Sequence, residues 1–159
     1  MPFAMSRLVR ILIAESPQSP MVTRTAARLV PARGVVGDRY HDGLGTFSPH
    51  PHKPDFEVTL IESEQIAEFA RVSGLPFTAE MARRNLVTEG VDLNALVGKE
   101  FVVGEVRLLG MRLCEPCSYL AKTTFPEVLA GLVHRGGLRA RIVTEGDVRV
   151  GDDIRVHEP

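Results

Sequence analysis

The stretch VRLLGMRLCEPCSYL, residues 106–120, contains both cysteines of the chain and anchors our interpretation of the fold. Its first eight residues largely alternate in hydrophobicity, with one glycine interruption, which predicts a β-strand. Pro116 has no backbone N–H and disfavours the α conformation for Glu115, so we expect the strand to end there in a turn. A thiol at such a junction can face a pocket, although an unpaired cysteine is often just a small buried hydrophobic residue.

The composition predicts a single globular domain, residues 1–159, long enough to bury roughly 70% of its unfolded surface. A formal net charge of −1 gives no field that would attract nucleic acid, and the absence of Trp argues against a base-stacking surface. No stretch approaches the ~20 apolar residues that a membrane helix needs. We therefore expect the protein to bind neither nucleic acid nor a membrane. Because two cysteines do not make a disulfide framework, we also expect it to be cytoplasmic.

The rest of the chain is dominated by short strands, with two or three helices between them. Strands are predicted at residues 7–14, 21–30, 56–61, 86–88, 99–103, 105–113 and 138–143, and residues 148–150 and 154–156 are predicted to form a closing hairpin. Helices are predicted at residues 63–73, 78–84 and 126–134. An exposed loop is expected at residues 46–55. This pattern predicts a mainly β fold, a closed or nearly closed antiparallel β-barrel of short strands with inserted helices.

The motif Cys114-Glu115-Pro116-Cys117 is open to several chemical interpretations. A thioredoxin-like pair should open a helix inside a βαβ unit, whereas this pair follows many short strands. A structural zinc site needs four ligands, and His50, His52 and His134 lack the expected paired spacing. The remaining possibility is one thiolate that serves as a metal ligand or as a persulfide carrier, and such a thiolate needs positive charge nearby.

Basic residues beside glycine-rich and turn segments can supply this charge. The candidates are Arg33, Arg39, Arg83, Arg84, Lys122, Arg135 and Arg139. Arginine suits bidentate binding of phosphate or another oxo-anion. Arg139 lies on an alternating strand, and we expect it to be an ordinary surface arginine. Gly34 and Gly37 can supply positive φ angles or let backbone N–H groups approach an anion, and His134 can cap a helix end.

Taken together and in order, these segments resemble the MOSC domain, the molybdenum cofactor sulfurase C-terminal family. The matching segments are GVVGDRY (34–40), RNLV (84–87), GVDLNALVG (90–98), EPC (115–117), HRGGLRA (134–140) and VGDDI (150–154). The resemblance implies a β-barrel and a role in molybdenum-cofactor or sulfur chemistry. It also implies that Cys117 is the molybdenum ligand or the sulfur carrier. Cys114 ends the alternating strand beside the apolar Met111 and Leu113, so we expect it to be either in the core or a resolving thiol.

On this resemblance we expect a site at which Cys117 ligates molybdenum and acts in catalysis with His134. The residues expected to bind the molybdenum cofactor are Gly37, Asp38, Arg39, Arg84, Asn85, Lys122, Arg135 and Gly136. Arg39, Arg84 and the amides near Gly37 would hold the pterin phosphate, since a dianionic phosphate and a soft metal call for arginine and thiolate respectively.

The resemblance implies two-electron reduction of an N-hydroxylated small molecule. The alternative is a sulfur carrier that holds a Cys117 persulfide for delivery to the acceptor of a metal–sulfur cofactor, and a third possibility is a barrel that only binds partner proteins. The sequence contains no pyridoxal-phosphate desulfurase domain, flavin domain or iron–sulfur domain. Electrons or sulfur would therefore come from a separate redox partner or a cysteine desulfurase.

Overall fold

The computed structural model describes residues 6–43, 45 and 53–156, and within them the fold is mainly β, as predicted. Most of the predicted loop at residues 46–55, with His50 and His52, lies outside these residues. The strands are β1 (Arg7–Ile13), β2 (Val22–Arg24), β3 (Ala26–Val30), β4 (Gly34–Val35), β5 (Val58–Glu62), β6 (Leu86–Glu89), β7 (Glu100–Val103), β8 (Val106–Leu113), β9 (Leu138–Ile142), β10 (Gly146–Arg149) and β11 (Ile154–Val156). The helices are α1 (Ser63–Ser73), α2 (Ala79–Ala82), α3 (Ser118–Thr123) and α4 (Val128–Gly131), with 3₁₀ turns at Pro54–Phe56 and Leu93–Leu96.

The larger sheet is a strongly curled half-barrel, so the prediction of a closed or nearly closed barrel is wrong in this respect. Its described strands run in the order β11-β7-β8-β9-β5-β6-β1-β2, while β10, β3 and β4 form a separate small sheet. All pairs are antiparallel except β5 with β6, which are joined by the crossover through α1 and α2 that a parallel pair requires.

The start of β1, the strand next to the end strand β2, meets the segment at the start of β11 without forming a continuous ladder. Leu8 donates to the carbonyl of Asp152 at 2.9 Å and accepts from Gly151 at 2.7 Å, and Ile154 donates to the carbonyl of Ser6 at 2.8 Å. We call this contact between residues 6–8 and 151–154 the seam. The seam holds β1 against the turn that precedes β11.

The predicted closing hairpin of residues 148–150 and 154–156 does not form. β10 pairs with β3, with Val148 opposite Ala27, whereas β11 pairs with β7, with Ile154 opposite Val103. The turn between β10 and β11 directs its Gly151 amide to β1 rather than across a hairpin. Val148 and Ile154 are nevertheless buried in the same core. The hydrophobic pattern therefore indicated which residues are buried but not which strands pair.

The helices follow the predictions to different degrees. α1 has the predicted bounds and ends at Gly74 in the left-handed conformation. α2 is shorter than predicted because Arg83 has left-handed φ and ψ angles of 58° and 34° and ends it, and α4 is shorter than the predicted helix at residues 126–134. α3 was not predicted, since Pro116 indicated only a turn at this point.

Hydrophobic clusters cover both faces of the large sheet. In β5, Val58 and Leu60 belong to the cluster inside the curl, whereas Ile61 packs on the opposite face with α1, α2, α3 and α4 residues. This alternation places the side chains of successive strand residues on opposite faces. The helices therefore cover the outer face, and the strand ends beside them remain accessible.

Gly137 fixes the approach of β9 to β5, and we expect Gly137→Ala to destabilise the fold strongly. Its φ angle is 111°, and an added Cβ would overlap the carbonyl oxygen of Leu60. We expect the free energy of unfolding to fall by about 3 kcal/mol, measured by urea denaturation. Gly151→Ala is the matched control, because Gly151 has a φ angle of 99° with nothing near the added Cβ, and it should cost only about 1 kcal/mol. Equal losses in the two variants would refute the steric explanation.

Candidate functional site

A cavity of about 310 Å³ opens where the ends of β8, β9 and β5 meet the segments that follow β4, α2 and β8. Both cysteines line it, together with arginines from several separate parts of the chain. The lining residues are Arg39, Tyr40, Phe56, Thr59, Arg83, Arg84, Arg112, Cys114, Glu115, Pro116, Cys117, Tyr119, Leu120 and Arg139. The cavity therefore combines thiols with concentrated positive charge, although the chain as a whole has a formal net charge of −1.

We call residues 114–117 the cysteine segment, and Cys114 is its buried first residue. β8 ends at Leu113, as predicted from Pro116, and Cys114 is 2% exposed. Its amide donates to the carbonyl of Gly137 at 2.8 Å, and its carbonyl accepts from Nη2 of Arg84 at 3.2 Å. Both backbone groups of Cys114 are thus fixed by neighbouring segments, and the residue is part of the wall of the cavity.

Cys117 is partly exposed and caps the N-terminus of α3. Its Sγ accepts the amide of Leu120 at 3.5 Å, the position that a serine or threonine hydroxyl takes in an ordinary helix cap. The helix begins after the second cysteine, and β8 pairs antiparallel with β9. This differs from the thioredoxin arrangement, in which the pair opens a helix within a βαβ unit. Cys117 is therefore the more accessible of the two thiols that line the cavity.

Arg39 is almost fully buried at the floor of the cavity, with 6% of the residue exposed. Its Nη1 lies 3.0 Å from Oδ1 of Asp38, and its guanidinium carbon lies 4.9 Å from the centre of the Tyr40 ring. Asp38 is fully buried and also accepts the amide of Ala14 at 3.0 Å. Asp38 thus fixes the position of Arg39 rather than lining the cavity itself.

Arg83 and Arg84 bind backbone carbonyls instead of carboxylates. Arg83 donates to the carbonyls of Ser19 at 2.8 Å and Pro17 at 3.1 Å. Partial burial lowers the pKa of Arg83, and the positive charge of Arg39 lowers that pKa further. Arg84 donates to the carbonyls of Gly136, Ala82 and Cys114 at 2.9, 3.1 and 3.2 Å. Neither guanidinium forms an ion pair within the described part of the chain, so their charges add to the potential of the cavity.

Arg112 and Arg139 occupy the mouth of the cavity, opposite each other on β8 and β9. Arg112 is paired with Asp55 at 2.6 Å. Arg139 has no hydrogen-bond partner for its buried Nε among the described residues. Their guanidinium carbons lie 5.6 and 4.8 Å from the centre of the Phe56 ring, respectively. The expectation that Arg139 is an ordinary surface residue is therefore wrong.

Of the residues predicted to form the site, Cys117, Arg39 and Arg84 line the cavity. Asn85 lies nearby but is 3% exposed, with its side chain bonded to Thr59 and to the Leu12 carbonyl. Gly136 supports the wall from behind, because an added Cβ would overlap the carbonyl oxygen of Cys114.

The remaining predicted residues lie outside the lining, and their roles stay predictions. Gly37 contributes to another groove beside Ile13. Lys122 is exposed near the end of α3, and Arg135 is exposed beside a groove between α1 and α4. His134 is largely exposed, and its Nδ1 lies 2.7 Å from Oε2 of Glu115, whose side chain reaches the cavity.

Phe56, Tyr119 and Arg112 line the cavity but were not predicted as site residues. Arg112 had a usable signal, since it lies two residues before Cys114 on an alternating strand and therefore shares its face. The aromatic residues gave no such signal, because they reach the cavity only through the fold.

Other classes of site and segment are absent from the described part of the chain. No group of three or more His, Cys, Asp or Glu side chains there is arranged to hold a metal ion, which leaves the zinc alternative without support among these residues. Among these same residues, none of the helices has both the length and the apolar character needed to cross a membrane.

Three solved structures share the fold of this chain, and each is 18% identical to it in sequence. The YuaD protein from Bacillus subtilis superposes with a TM-score of 0.81 over 98% of this chain and 97% of its own. YiiM from Geobacillus stearothermophilus gives a TM-score of 0.70 over 96% and 75%, and YiiM from Escherichia coli gives 0.68 over 96% and 70%. At this identity the likeness establishes the fold.

The sequence comparisons then decide the family. No curated protein matches the chain significantly. The family model described as the MOSC domain matches residues 46–155, which is more than half of the sequence and agrees with the resemblance noted above. The chain belongs to the MOSC domain family.

Proposed function

We propose that this protein binds the molybdenum cofactor in the arginine-lined cavity, with Cys117 as a ligand of the metal, and that it reduces N-hydroxylated compounds. The observation that carries the proposal is the convergence of a partly exposed thiol with Arg39, Arg83 and Arg84 in one cavity. Membership of the MOSC domain family supports a role connected with this cofactor.

The residues of the cavity fit the chemical groups of the cofactor. A thiolate is a soft ligand suited to a transition metal, and guanidinium groups bind phosphate through charge-assisted hydrogen bonds. Arg83 and Arg84 carry no carboxylate partner among the described residues, so an anion would compensate charge that the protein leaves unpaired. Arg39 is held rigidly by Asp38, which keeps its guanidinium in place before a ligand arrives.

Each residue has a distinct part in the proposed binding. Arg39 and Arg84 would hold the phosphate of the cofactor, and Cys117 would hold the metal. The bound cofactor would supply two-electron reduction. His134 takes a positioning role in this proposal, through the contact of its Nδ1 with Glu115 at the cavity.

Metal analysis tests this proposal directly. Protein made in cells that synthesise the cofactor should contain close to one molybdenum per chain, and protein from cells that lack the cofactor should contain none. The loaded protein should reduce N-hydroxybenzamide to benzamide with reduced methyl viologen as the electron donor. Sulfane sulfur without molybdenum would overturn the proposal, and the absence of both would favour a protein that only binds partner proteins.

The second candidate function is sulfur transfer, in which Cys117 holds a persulfide. The exposure of Cys117 favours it, since the persulfide of a separate cysteine desulfurase must reach the accepting thiol. In this step the Cys117 sulfur attacks the terminal sulfur of the donor persulfide, the donor S–S bond breaks, and the donor thiol is released. Cyanolysis of protein incubated with a desulfurase and cysteine would then release about one sulfane sulfur per chain.

A further inference from the structure

The mouth of the cavity carries a charge arrangement that the proposed phosphate contacts of Arg39 and Arg84 do not explain. Arg112 and Arg139 are directly opposed on adjacent strands, and Arg139 is also opposite Thr59 on the other side. Like charges directly opposite in a sheet are destabilising. Asp55 compensates Arg112, but Arg139 has no ion pair within the described residues. The fold thus maintains one uncompensated guanidinium at this place.

Exposure distinguishes Arg112 from Arg39, the buried arginine of the cavity. The side chain of Arg39 is 7% exposed, whereas that of Arg112 is 52% exposed. Arg112 is the second-last residue of β8 and Cys114 follows the end of that strand, so this wall of the cavity includes both a buried thiol and an exposed guanidinium. Arg112 thus presents its guanidinium to solvent at the cavity, and Arg139 lies directly opposite it on β9.

Phe56 stabilises the pair without neutralising it. Both guanidinium carbons lie within 5.6 Å of its ring centre, which is the range of a cation–π interaction. Packing against a ring limits the motion of a guanidinium while its N–H edges stay available for an oxyanion. The three residues therefore form a preorganised anion-binding surface.

We propose that Arg112, Arg139 and Phe56 form a substrate subsite that binds a carboxylate or phosphate group, so that the preferred substrates are N-hydroxylated compounds that carry such an anion. This rests on the proposed reductase function and names its substrate class. The reduction itself breaks the N–O bond of the hydroxamate with two electrons and two protons, and it yields the amide and water. The electrons come from two equivalents of a reduced viologen dye, and the subsite only positions the anionic end.

Paired substrates that differ in charge test the subsite. With the molybdenum-loaded protein, 4-carboxy-N-hydroxybenzamide should have a KM about tenfold below that of N-hydroxybenzamide, as expected for one charge-assisted contact to arginine. Arg139→Met should abolish this preference, measured as the ratio of the two KM values, and should not reduce the molybdenum content. Arg141→Met is the matched control, because Arg141 lies two residues further along β9, is exposed and does not line the cavity.

The outcomes are separable from those of the reductase proposal. If neither compound is reduced, binding of the product 4-carbamoylbenzoate to the loaded protein, measured by calorimetry, still tests the subsite, and it should weaken about tenfold in Arg139→Met. Equal KM values for the two substrates in the wild-type protein would overturn the subsite while leaving the reductase function intact. Loss of molybdenum in Arg139→Met would also overturn it, since the pair would then serve the cofactor.

Discussion

Cys117→Ser is expected to lose nearly all bound molybdenum, at least about tenfold, together with reduction of N-hydroxybenzamide. A hydroxyl does not replace a thiolate as a soft ligand at neutral pH. The fold should survive, because serine is among the preferred helix caps and can accept the Leu120 amide that Sγ now accepts. Molybdenum content per chain, measured by mass spectrometry, and the thermal unfolding curve are the two measurements.

Cys114→Ala is the control for this prediction. Cys114 is buried and its contacts to Gly137 and Arg84 use only backbone atoms, so alanine keeps them. The variant should retain most of the metal and activity, and truncation of the small buried side chain should cost about 1 kcal/mol of stability. Metal intact in Cys117→Ser but lost in Cys114→Ala would show that the other cysteine is the ligand.

Arg84→Met should reduce both cofactor binding and stability. Arg84 donates to carbonyls of α2, of the cysteine segment and of the segment before β9, and methionine leaves these acceptors unpaired. We expect a loss of about 2 kcal/mol in the free energy of unfolding. The molybdenum content should also fall by roughly tenfold or more, because a positive charge is lost and Cys114 is released from one of its two anchors.

Arg84→Lys and Arg135→Met distinguish geometry from charge. Lysine keeps the charge at position 84 but cannot donate to three separated carbonyls, so it should restore only part of the cofactor content. The family resemblance predicts a cofactor contact for Arg135, but this residue lies outside the cavity lining, so we expect Arg135→Met to leave the cofactor content unchanged and to alter stability by no more than about 0.5 kcal/mol. If Arg135→Met lost as much molybdenum as Arg84→Met, the net charge of this region would matter more than the geometry at Arg84.

Local patterns in the sequence predicted the fold where one segment decides its own conformation. The bounds of α1 follow from its apolar stripe and from Gly74, and Pro116 ends β8 where expected. The pairing of β10 and β11 did not follow, because each finds its partner in a distant strand and adjacency in sequence favoured a hairpin. Whether the sheet closes into a barrel likewise depends on which strands pair with one another, and the alternation of hydrophobic residues does not indicate strand partners.

The site shows the same division. Cys117, Arg39 and Arg84 were found from the chemistry of their residue types and from the family resemblance. Arg139 was misjudged because alternation on β9 shows that it faces away from Leu138 and Ala140 but not what lies over that face. The helix after Cys117 was also missed, since a six-residue helix that begins with a sulfur cap has little local signal.

The seam has a consequence for the order in which the chain folds. Ser6 and Ile154 are hydrogen-bonded there, although almost the whole described chain separates them. Closing so long a loop costs entropy before any contact offsets it, so contacts of this kind form late and slow folding. The residues that line the cavity all lie between positions 39 and 139. The cavity walls therefore consist of residues that precede the last strand, and we expect the seam to be the final contact of folding.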